Sequence, residues 1–217
     1  VISVAAPPVE NLSPEESMPV LEVLRHRNVP LAMIGLLCAM CGIFVLSANT
    51  PLYLTSALGL TNTQMGFVSS AIGFGGFVGQ WGLPWLSDHF GRKIMAISGF
   101  VLGAVFIVAF INTGPDVLRL FALLFLATAS SFGLLSLLTG PVAAEAAPRG
   151  MISTAAGLII GVGEVFGGGL ALLVAGWVIA TQGIGAMLYL ALTGMLAGAI
   201  VMMFLQETAP RKIAEMG

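Results

Sequence analysis

Long uncharged stretches alternate with short polar segments along this chain of 217 residues. Six of the stretches reach about 18 residues or more, which is the length that a helix needs to cross the hydrocarbon core of a bilayer. They are rich in Gly, Ala, Leu and Met, which is typical of membrane helices and not of the alternating strands of a membrane barrel. The pattern predicts an all-α membrane protein with six transmembrane helices, at about Val29–Tyr53, Met65–Leu86, Ile94–Ile111, Leu120–Ala144, Met151–Ala180 and Ile184–Leu205.

The polar segments between these stretches are short, and none is long enough to hold a soluble domain. In LGLTNTQMG, Thr61 precedes Gln64 by three residues, which predicts a capping box at the start of the second helix. In NTGPDV, Pro115 is expected in the first turn of the fourth helix. The chain therefore divides into a cytoplasmic linker at 1–28, a helical bundle at 29–206 and a cytoplasmic tail at 207–217. Within the linker, MPVLEVLRHRN fits a short amphipathic surface helix and an unstructured segment equally well.

The composition fits a protein that is embedded in lipid. Hydrophobic residues make up 58% of the chain and charged residues 8%, and the mean hydropathy is +1.02. A soluble domain carries about 25% charged residues, so this chain could not cover a water-exposed surface with polar groups. The formal net charge of −2 gives no indication of binding to nucleic acid or another polyanionic partner. Function is therefore expected within the bilayer.

The cations are distributed unevenly over the two sides of the predicted bundle. Only Arg119 lies on the side opposite the termini, and the positive-inside rule makes the cation-rich side cytoplasmic. We therefore expect a multi-pass protein of the plasma membrane, the inner membrane of the cell, with both termini in the cytoplasm. The cations on the cytoplasmic side are Arg25, Arg27, Arg92, Lys93, Arg149, Arg211 and Lys212.

One acidic side chain lies inside a predicted span, namely Glu164 near the middle of the fifth. A carboxylate there costs about 2.5–3.5 kcal/mol on insertion scales, so it normally faces a cavity or a partner and marks the path of an ion or solute. Its neighbours in the sequence include Gly161, Gly163, Gly167 and Gly168. The alternative interpretation is a protonated glutamate that forms a hydrogen bond between closely packed helices. We take Glu164 as the main candidate for binding a proton or the solute.

The sequence offers little for catalysis or for a cofactor. Its only histidines, His26 and His89, lie at the cytoplasmic edge, and no set of nucleophile and base or of metal ligands lies in a span. Cys38 and Cys41 lie inside the first span, where small core residues are expected and not a redox or metal pair. We therefore expect a protein that is not an enzyme and has no metal or cofactor. Close helix packing, and not phosphate binding, is expected at the glycine pairs Gly75/Gly79, Gly99/Gly103, Gly157/Gly161 and Gly194/Gly198.

The segment WLSDHFGRKI gathers charge in the predicted short loop between the second and third spans. A positive-inside anchor explains Arg92 and Lys93 but not Asp88. Asp88 precedes Arg92 by four residues, a spacing at which the two side chains can pair on a helical turn.

At these residues the sequence resembles the major facilitator superfamily (MFS) of secondary transporters, whose loop signature reads Gly-x-Leu-Ala-Asp-Arg-x-Gly-Arg-Lys. Asp88, Gly91, Arg92 and Lys93 match the signature, while Pro84 and His89 replace its first Gly and its first Arg. Further segments are similar to the family's C-terminal half: NTPLYLTSALGLTNTQMG to the seventh helix and its outer loop, EAAPRGMISTAAGLIIGVGEVFGGG to the tenth and eleventh helices, and FLQETAPRK to the C-terminus.

The resemblance implies one half of a 12-helix fold, in which six transmembrane helices form two inverted repeats of three helices each. It also implies a partner that supplies the other half. We expect an N-terminal six-helix half before Val1; a second copy of this chain is the alternative. The bilayer itself and a small-molecule solute are the other expected partners.

The implied function is secondary active transport of a small solute by alternating access, with proton coupling through Glu164. In the family the first helix of each repeat lines the cavity, which adds Asn49, Thr128 and Ser131 as candidate solute contacts. Local backbone hydrogen bonds explain these three side chains equally well, and Pro51 is expected to break the first helix near Asn49. The alternative function is a non-transporting membrane sensor or scaffold, although a sensor usually brings a soluble output domain.

The same resemblance implies a role for the charged loop. Asp88, Arg92 and Lys93 are expected to form a cytoplasmic charge network with Glu145 and Arg149 of the fourth-to-fifth loop. This network would hold the two repeats together at the cytoplasmic end when the transporter faces outward.

Overall fold

The computed structural model describes residues 20–148 and 150–216, and all regular secondary structure within them is helical. The all-helical membrane fold predicted from the sequence is confirmed. Residues 1–19 of the predicted linker and Arg149 lie outside the described residues. The elements are α1 Val20–Arg25, α2 Asn28–Ser56, α3 Asn62–Phe90, α4 Arg92–Ile111, α5 Val117–Ala146, α6 Ile152–Gln182, α7 Ala186–Met203 and α8 Pro210–Met216.

Five of these helices are long and apolar enough to cross a membrane, namely α2, α4, α5, α6 and α7. The helix α3 has 29 residues, as many as α2, but its glycines, serines and polar ends lower its hydropathy. It packs along α5, which is itself a candidate span. Because α3 is as long as α2 and packs along a candidate span, we retain it as the sixth predicted span.

Two helix starts show how local sequence sets the element bounds. The capping box is confirmed, because the Thr61 N–H donates to Gln64 Oε1 at 3.0 Å and the Gln64 N–H donates to Thr61 Oγ1 at 3.3 Å. The position predicted for Pro115 is wrong. Asp116 is the N-cap of α5, because its carboxylate accepts a backbone hydrogen bond at 3.1 Å, and the helix starts only after it. Pro115 therefore lies outside the first turn.

Two boundaries differ from the sequence prediction. The charged loop is a single residue, Gly91, because α3 continues to Phe90 and α4 starts at Arg92. Gly91 has φ +103°, a conformation that only glycine adopts without strain. The prediction that Pro51 breaks α2 is also wrong, since the helix continues beyond it. A proline removes one hydrogen bond of the helix, and packing against neighbouring helices maintains the rest.

The helix pairing shows the two repeats. The principal pairs are α3–α5, α2–α6, α4–α5, α2–α7, α4–α7 and α2–α5. If α2, α3 and α4 are exchanged with α5, α6 and α7 in order, α3–α5 and α2–α6 change places, and so do α4–α5 and α2–α7. The pairs α2–α5 and α4–α7 map onto themselves. This is the pattern expected of two related three-helix units.

Glycines allow the closest of these pairs, as predicted for three of the four Gly-x-x-x-Gly pairs. Gly75 and Gly79 of α3 lie against the backbone of α5, so a Cβ on either would collide with it. At Gly157 and Gly161 of α6 no described residue of this chain packs closely, since an added Cβ would meet nothing within 4 Å. These two glycines lie on the exposed side of α6, because its packing against α2 uses Gly163 and Gly167 instead.

Candidate functional site

Arg92 forms the centre of a charged cluster where α3 passes into α4. Its side chain is 7% exposed, and its guanidinium extends from the first residue of α4 towards α3 and α5. Towards α3, Nη1 lies 2.6 Å from Asp88 Oδ1 and donates to Ser87 Oγ at 2.6 Å. Towards α5, Nη2 donates to Glu145 Oε1 at 2.8 Å and Nε lies 3.2 Å from both carboxylate oxygens. Paired in this way on both sides, the buried charge is compensated.

Glu207, in the segment after α7, joins the cluster from a distant part of the sequence. Its carboxylate accepts hydrogen bonds from the backbone N–H groups of Arg92 at 2.7 Å and Lys93 at 3.2 Å. These are two of the N–H groups that a helix start leaves without an intrahelical partner, and the positive end of the helix dipole favours the carboxylate there. A Cβ on Gly91 would lie 2.5 Å from Glu207 Oε2. A side chain at position 91 would therefore displace the Glu207 carboxylate from the start of α4, in addition to straining the backbone angle.

Thr208 completes the set, which we call the Arg92 cluster: Ser87, Asp88, Arg92, Glu145, Glu207 and Thr208. The Thr208 hydroxyl donates to Glu145 Oε2 at 2.6 Å. The cluster thus joins α3, α4, α5 and the segment after α7. Close by, Asn28 at the start of α2 exchanges two hydrogen bonds with the Gln206 backbone, at 3.0 and 3.1 Å.

The structure brings together Asp88, Arg92 and Glu145 of the predicted network, and Lys93 takes part through its backbone N–H. Arg149 lies outside the described residues. Sequence reasoning missed Ser87, Glu207 and Thr208. The available signal for Glu207 was that its segment follows the last span and lies on the same side as the charged loop.

A cavity of about 410 Å³ opens beside the Arg92 cluster. Its lining includes Asp88, His89, Arg92, Glu145 and Arg211. The Asp88 side chain is 54% exposed, whereas that of Glu145 is 20% exposed. Asp88 is thus the acid of the cluster that is most open to a further partner.

Glu164 lies on the exposed side of α6. It belongs to a π-helical segment of eight residues, Gly163–Leu170. Single π-helical turns occur often at functional sites, and a run of eight residues is unusual. Among the residues that the structure describes, none forms a hydrogen bond or ion pair with the Glu164 side chain. The carboxylate therefore has no partner among the residues of this unit that the structure describes.

The glycines around Glu164 divide into two groups. Gly163, Gly167 and Gly168 pack against α2, where added Cβ atoms would approach Leu36, Leu37 and Phe44 respectively. Gly161 and Gly157 are open and share the Glu164 side of α6, because they lie three and seven residues before it. The side of α6 that carries Glu164 is therefore open, and the adjacent side packs against α2.

The three weaker candidates form mainly local hydrogen bonds. Asn49 Nδ2 donates to the Val45 carbonyl at 3.0 Å. Thr128 and Ser131 are buried, and their hydroxyls donate to carbonyls one turn earlier in α5 at 2.8 and 2.9 Å. Thr128 also packs against Gly75 of α3. The structure places Thr128 and Ser131 between helices and not on an open wall, because α3 and α7 cover that part of α5.

Comparisons with known proteins agree with this architecture. The family model described as Major Facilitator Superfamily matches residues 32–215. A mutant of the peptide transporter POT, crystallised in complex with sulfate, superposes with a TM-score of 0.74 at 16% identity, over 92% of this chain and 46% of that chain. The POT family transporter PepTSo superposes with a TM-score of 0.66 at 15% identity, over 82% of this chain and 37% of that chain. At these identities the likeness shows the fold alone.

The chain thus spans less than half the length of the two solved transporters that it resembles. No curated protein is similar enough to count as a relative. The family match covers most of the chain, and the helix pairing shows the two three-helix repeats that the sequence resemblance implied. The chain is a multi-pass membrane protein and belongs to the Major Facilitator Superfamily.

Proposed function

We propose that this chain forms one half of a secondary active transporter that moves a small solute across the plasma membrane by alternating access, with coupling to protons at Glu164. The observation that carries the proposal is the open, unpartnered Glu164 carboxylate about a dozen residues into α6. At a rise of about 1.5 Å per residue this position is near the middle of the span. A carboxylate is too costly to leave facing lipid there, so a proton, a solute or a second protein wall has to meet it.

Glu164 is the only titratable side chain of α6, which favours it as the proton site. On α2, which packs against α6, two titratable side chains lie towards α7 instead. Cys41 and Tyr53 of α2 lie near Gly194 and Gly185 at the α7 side. Glu145 of α5 is paired with Arg92.

The second half of the transporter is part of the proposal. Large apolar side chains are exposed along α3 and α6, which occupy equivalent positions in the two repeats. On α3 they include Phe77, Trp81 and Trp85, which line a groove of about 470 Å³. Exposed surfaces of this kind suit contact with lipid and with another protein. An N-terminal six-helix half, or a second copy of this chain, would cover the part of this surface beside Glu164.

The Arg92 cluster is proposed as the contact that holds the cytoplasmic end closed in one state of the cycle. It joins both repeats, since α3 and α4 belong to the first repeat and α5 to the second. Asp88 pairs with Arg92 and is also exposed, so its carboxylate is accessible to the second half. The positive-inside rule supports a cytoplasmic location for this end and for both termini.

The test uses the complete transporter, meaning this chain with its second half, in proteoliposomes with an imposed pH gradient. Uptake of a mixed panel of small solutes is followed by mass spectrometry. For any solute that accumulates, Glu164→Gln should abolish accumulation driven by the pH gradient, because the Gln amide cannot take up and release a proton. Wild-type accumulation in Glu164→Gln would sink the proton-coupling role, and a panel with no transported solute would count against transport itself.

A further inference from the structure

We propose that the solute bound at Glu164 is an apolar organic cation, whose charge pairs with the carboxylate and whose apolar body packs on Phe44. The inference rests on the proposed function, because it names the solute class of that same site. It is based on the charge and polarity of the surface that the exposed side chains of α2 and α6 form, which we call the open wall.

The charge on this wall has one sign. The Lys and Arg residues that the structure describes lie outside α2 and α6, in the segments before α2 and after α7 or at the first turns of α4 and α5. An anionic solute at mid-span would therefore meet a carboxylate and no cation. A solute cation, in contrast, supplies the partner that Glu164 lacks within this unit. Such a pair in a water-poor site is favoured over either charge alone.

The uncharged part of the wall is mostly apolar, and its polar groups are the Ser47 hydroxyl and the Asn49 amide of α2. On α2 the exposed large side chains are Ile34, Phe44 and Leu52. On α6, Glu164 is the only polar side chain between Ala155 and Trp177. A solute with many hydroxyl groups would leave most of them without hydrogen-bond partners against this surface, which is costly. The wall therefore favours a ligand with one charged group and an otherwise apolar body.

Phe44 lies where such a body would reach. A Cβ on Gly168 would be 2.8 Å from Phe44 Cε2, so the ring rests on α6 at that residue. Gly168 follows Glu164 by four residues, which is roughly one turn of the π-helical segment. The Phe44 side chain is partly exposed, so its ring remains available to a ligand. A cation held by Glu164 would have this aromatic ring beside it, which adds cation–π attraction.

Phe166 provides a matched control for Phe44. It is also exposed, and it belongs to the same π-helical segment as Glu164. Because it is two residues beyond Glu164, it projects from roughly the opposite side of the helix. Replacing Phe166 therefore removes a similar aromatic group without changing the proposed site.

The experiment measures equilibrium binding of radiolabelled tetraphenylphosphonium to the complete transporter in nanodiscs at fixed pH, with empty nanodiscs as the background. Tetraphenylborate has nearly the same size and shape with the opposite charge, and serves as the control ligand. We expect saturable binding of the cation and none of the anion. Glu164→Gln should weaken cation binding about thirtyfold or more, and Phe44→Ala roughly fivefold. Glu164→Asp, which retains the charge, should bind within a few-fold of wild type, and Phe166→Ala as wild type.

Equal binding of the two ions, absence of cation binding, or cation binding unchanged in Glu164→Gln would overturn the inference. These results would leave the proposed function standing if another solute still accumulates with the pH gradient and loses that accumulation in Glu164→Gln. Loss of cation binding in both Glu164→Asp and Phe166→Ala would also overturn it, since the effect would then not depend on the charge or the ring. Size-exclusion profiles that match wild type establish that each variant is folded.

Discussion

At the scale of single residues, the Arg92 cluster contains two acids with different environments. Glu145 forms a bidentate pair with the buried Arg92 guanidinium and is itself mostly buried. Asp88 contacts the same guanidinium, but its side chain is 54% exposed. Removing a partner from a buried charge is costly, because the remaining charge stays in a low-dielectric environment. An exposed acid contributes little to stability, because water screens it.

These environments predict different phenotypes for two similar substitutions, one mainly in stability and the other mainly in transport rate. Glu145→Gln should destabilise the protein by about 3 kcal/mol, and Asp88→Asn by less than about 1 kcal/mol. Asp88→Asn should nevertheless slow transport, because the exposed acid is the proposed contact to the second half. Thermal unfolding of the purified transporter and initial uptake rates provide the two readouts. Equal losses of thermal stability, or normal turnover in Asp88→Asn, would contradict this account of the cluster.

Sequence reasoning anticipated part of this cluster and missed part of it for a physical reason. The spacing of Asp88 and Arg92 is local, so a helical pattern is enough to pair them. Glu207 lies 115 residues from Arg92 in the sequence, and its contact depends on where α7 ends relative to α4. No local pattern contains that information. The role of Gly91 follows from the same tertiary contact and from its backbone angle.

At the scale of elements, the glycines of α6 separate packing from open surface. Gly167 lies against α2, where an added Cβ would be 2.8 Å from the Met40 Cβ and 3.0 Å from the Leu37 carbonyl carbon. Gly161, six residues earlier, has nothing within 4 Å of that position. The sequence presents the two as equivalent small residues in one span. Only the position of α2 distinguishes them.

The same substitution at the two glycines should therefore have opposite effects. Gly167→Ala should force α2 and α6 apart and destabilise the protein by about 1–3 kcal/mol. Gly161→Ala should be neutral or stabilising by up to about 1 kcal/mol, because alanine favours the helix more than glycine does. Melting temperatures of both variants in the same detergent compare them directly. A larger loss at Gly161 than at Gly167 would show that the α2–α6 packing is not as described.

At the scale of the whole molecule, the repeat and the family follow from the sequence, whereas the open faces do not. The order of spans and the charged segment after the second were enough to indicate the family. The faces of α3 and α6 that remain exposed depend on how the six helices pack, because every span is apolar all around. This is why Glu164 could be singled out from the sequence, while its open position beside Phe44 could not.

Topology is a further prediction at this scale. In a transporter with Cys38 and Cys41 replaced by Ala, Gly114→Cys in the α4–α5 turn should react with a membrane-impermeant maleimide added to intact cells. Phe90→Cys, at the end of α3 and 57% exposed, should react only after permeabilisation. The positive-inside rule is the reason, since the cations cluster at the Phe90 end. Reaction of Phe90→Cys in intact cells would reverse the orientation.

The central claim is that Glu164 carries the proton that is coupled to the solute. The most direct measurement records lumenal pH with a trapped fluorescent dye in proteoliposomes of the complete transporter, while a transported solute is added outside. In wild type and Glu164→Asp, solute movement should change the lumenal pH. In Glu164→Gln the lumenal pH should stay constant when the solute is added, because the Gln amide carries no exchangeable acid proton. A pH change of wild-type size in Glu164→Gln would contradict the claim and leave Glu164 without a role in coupling.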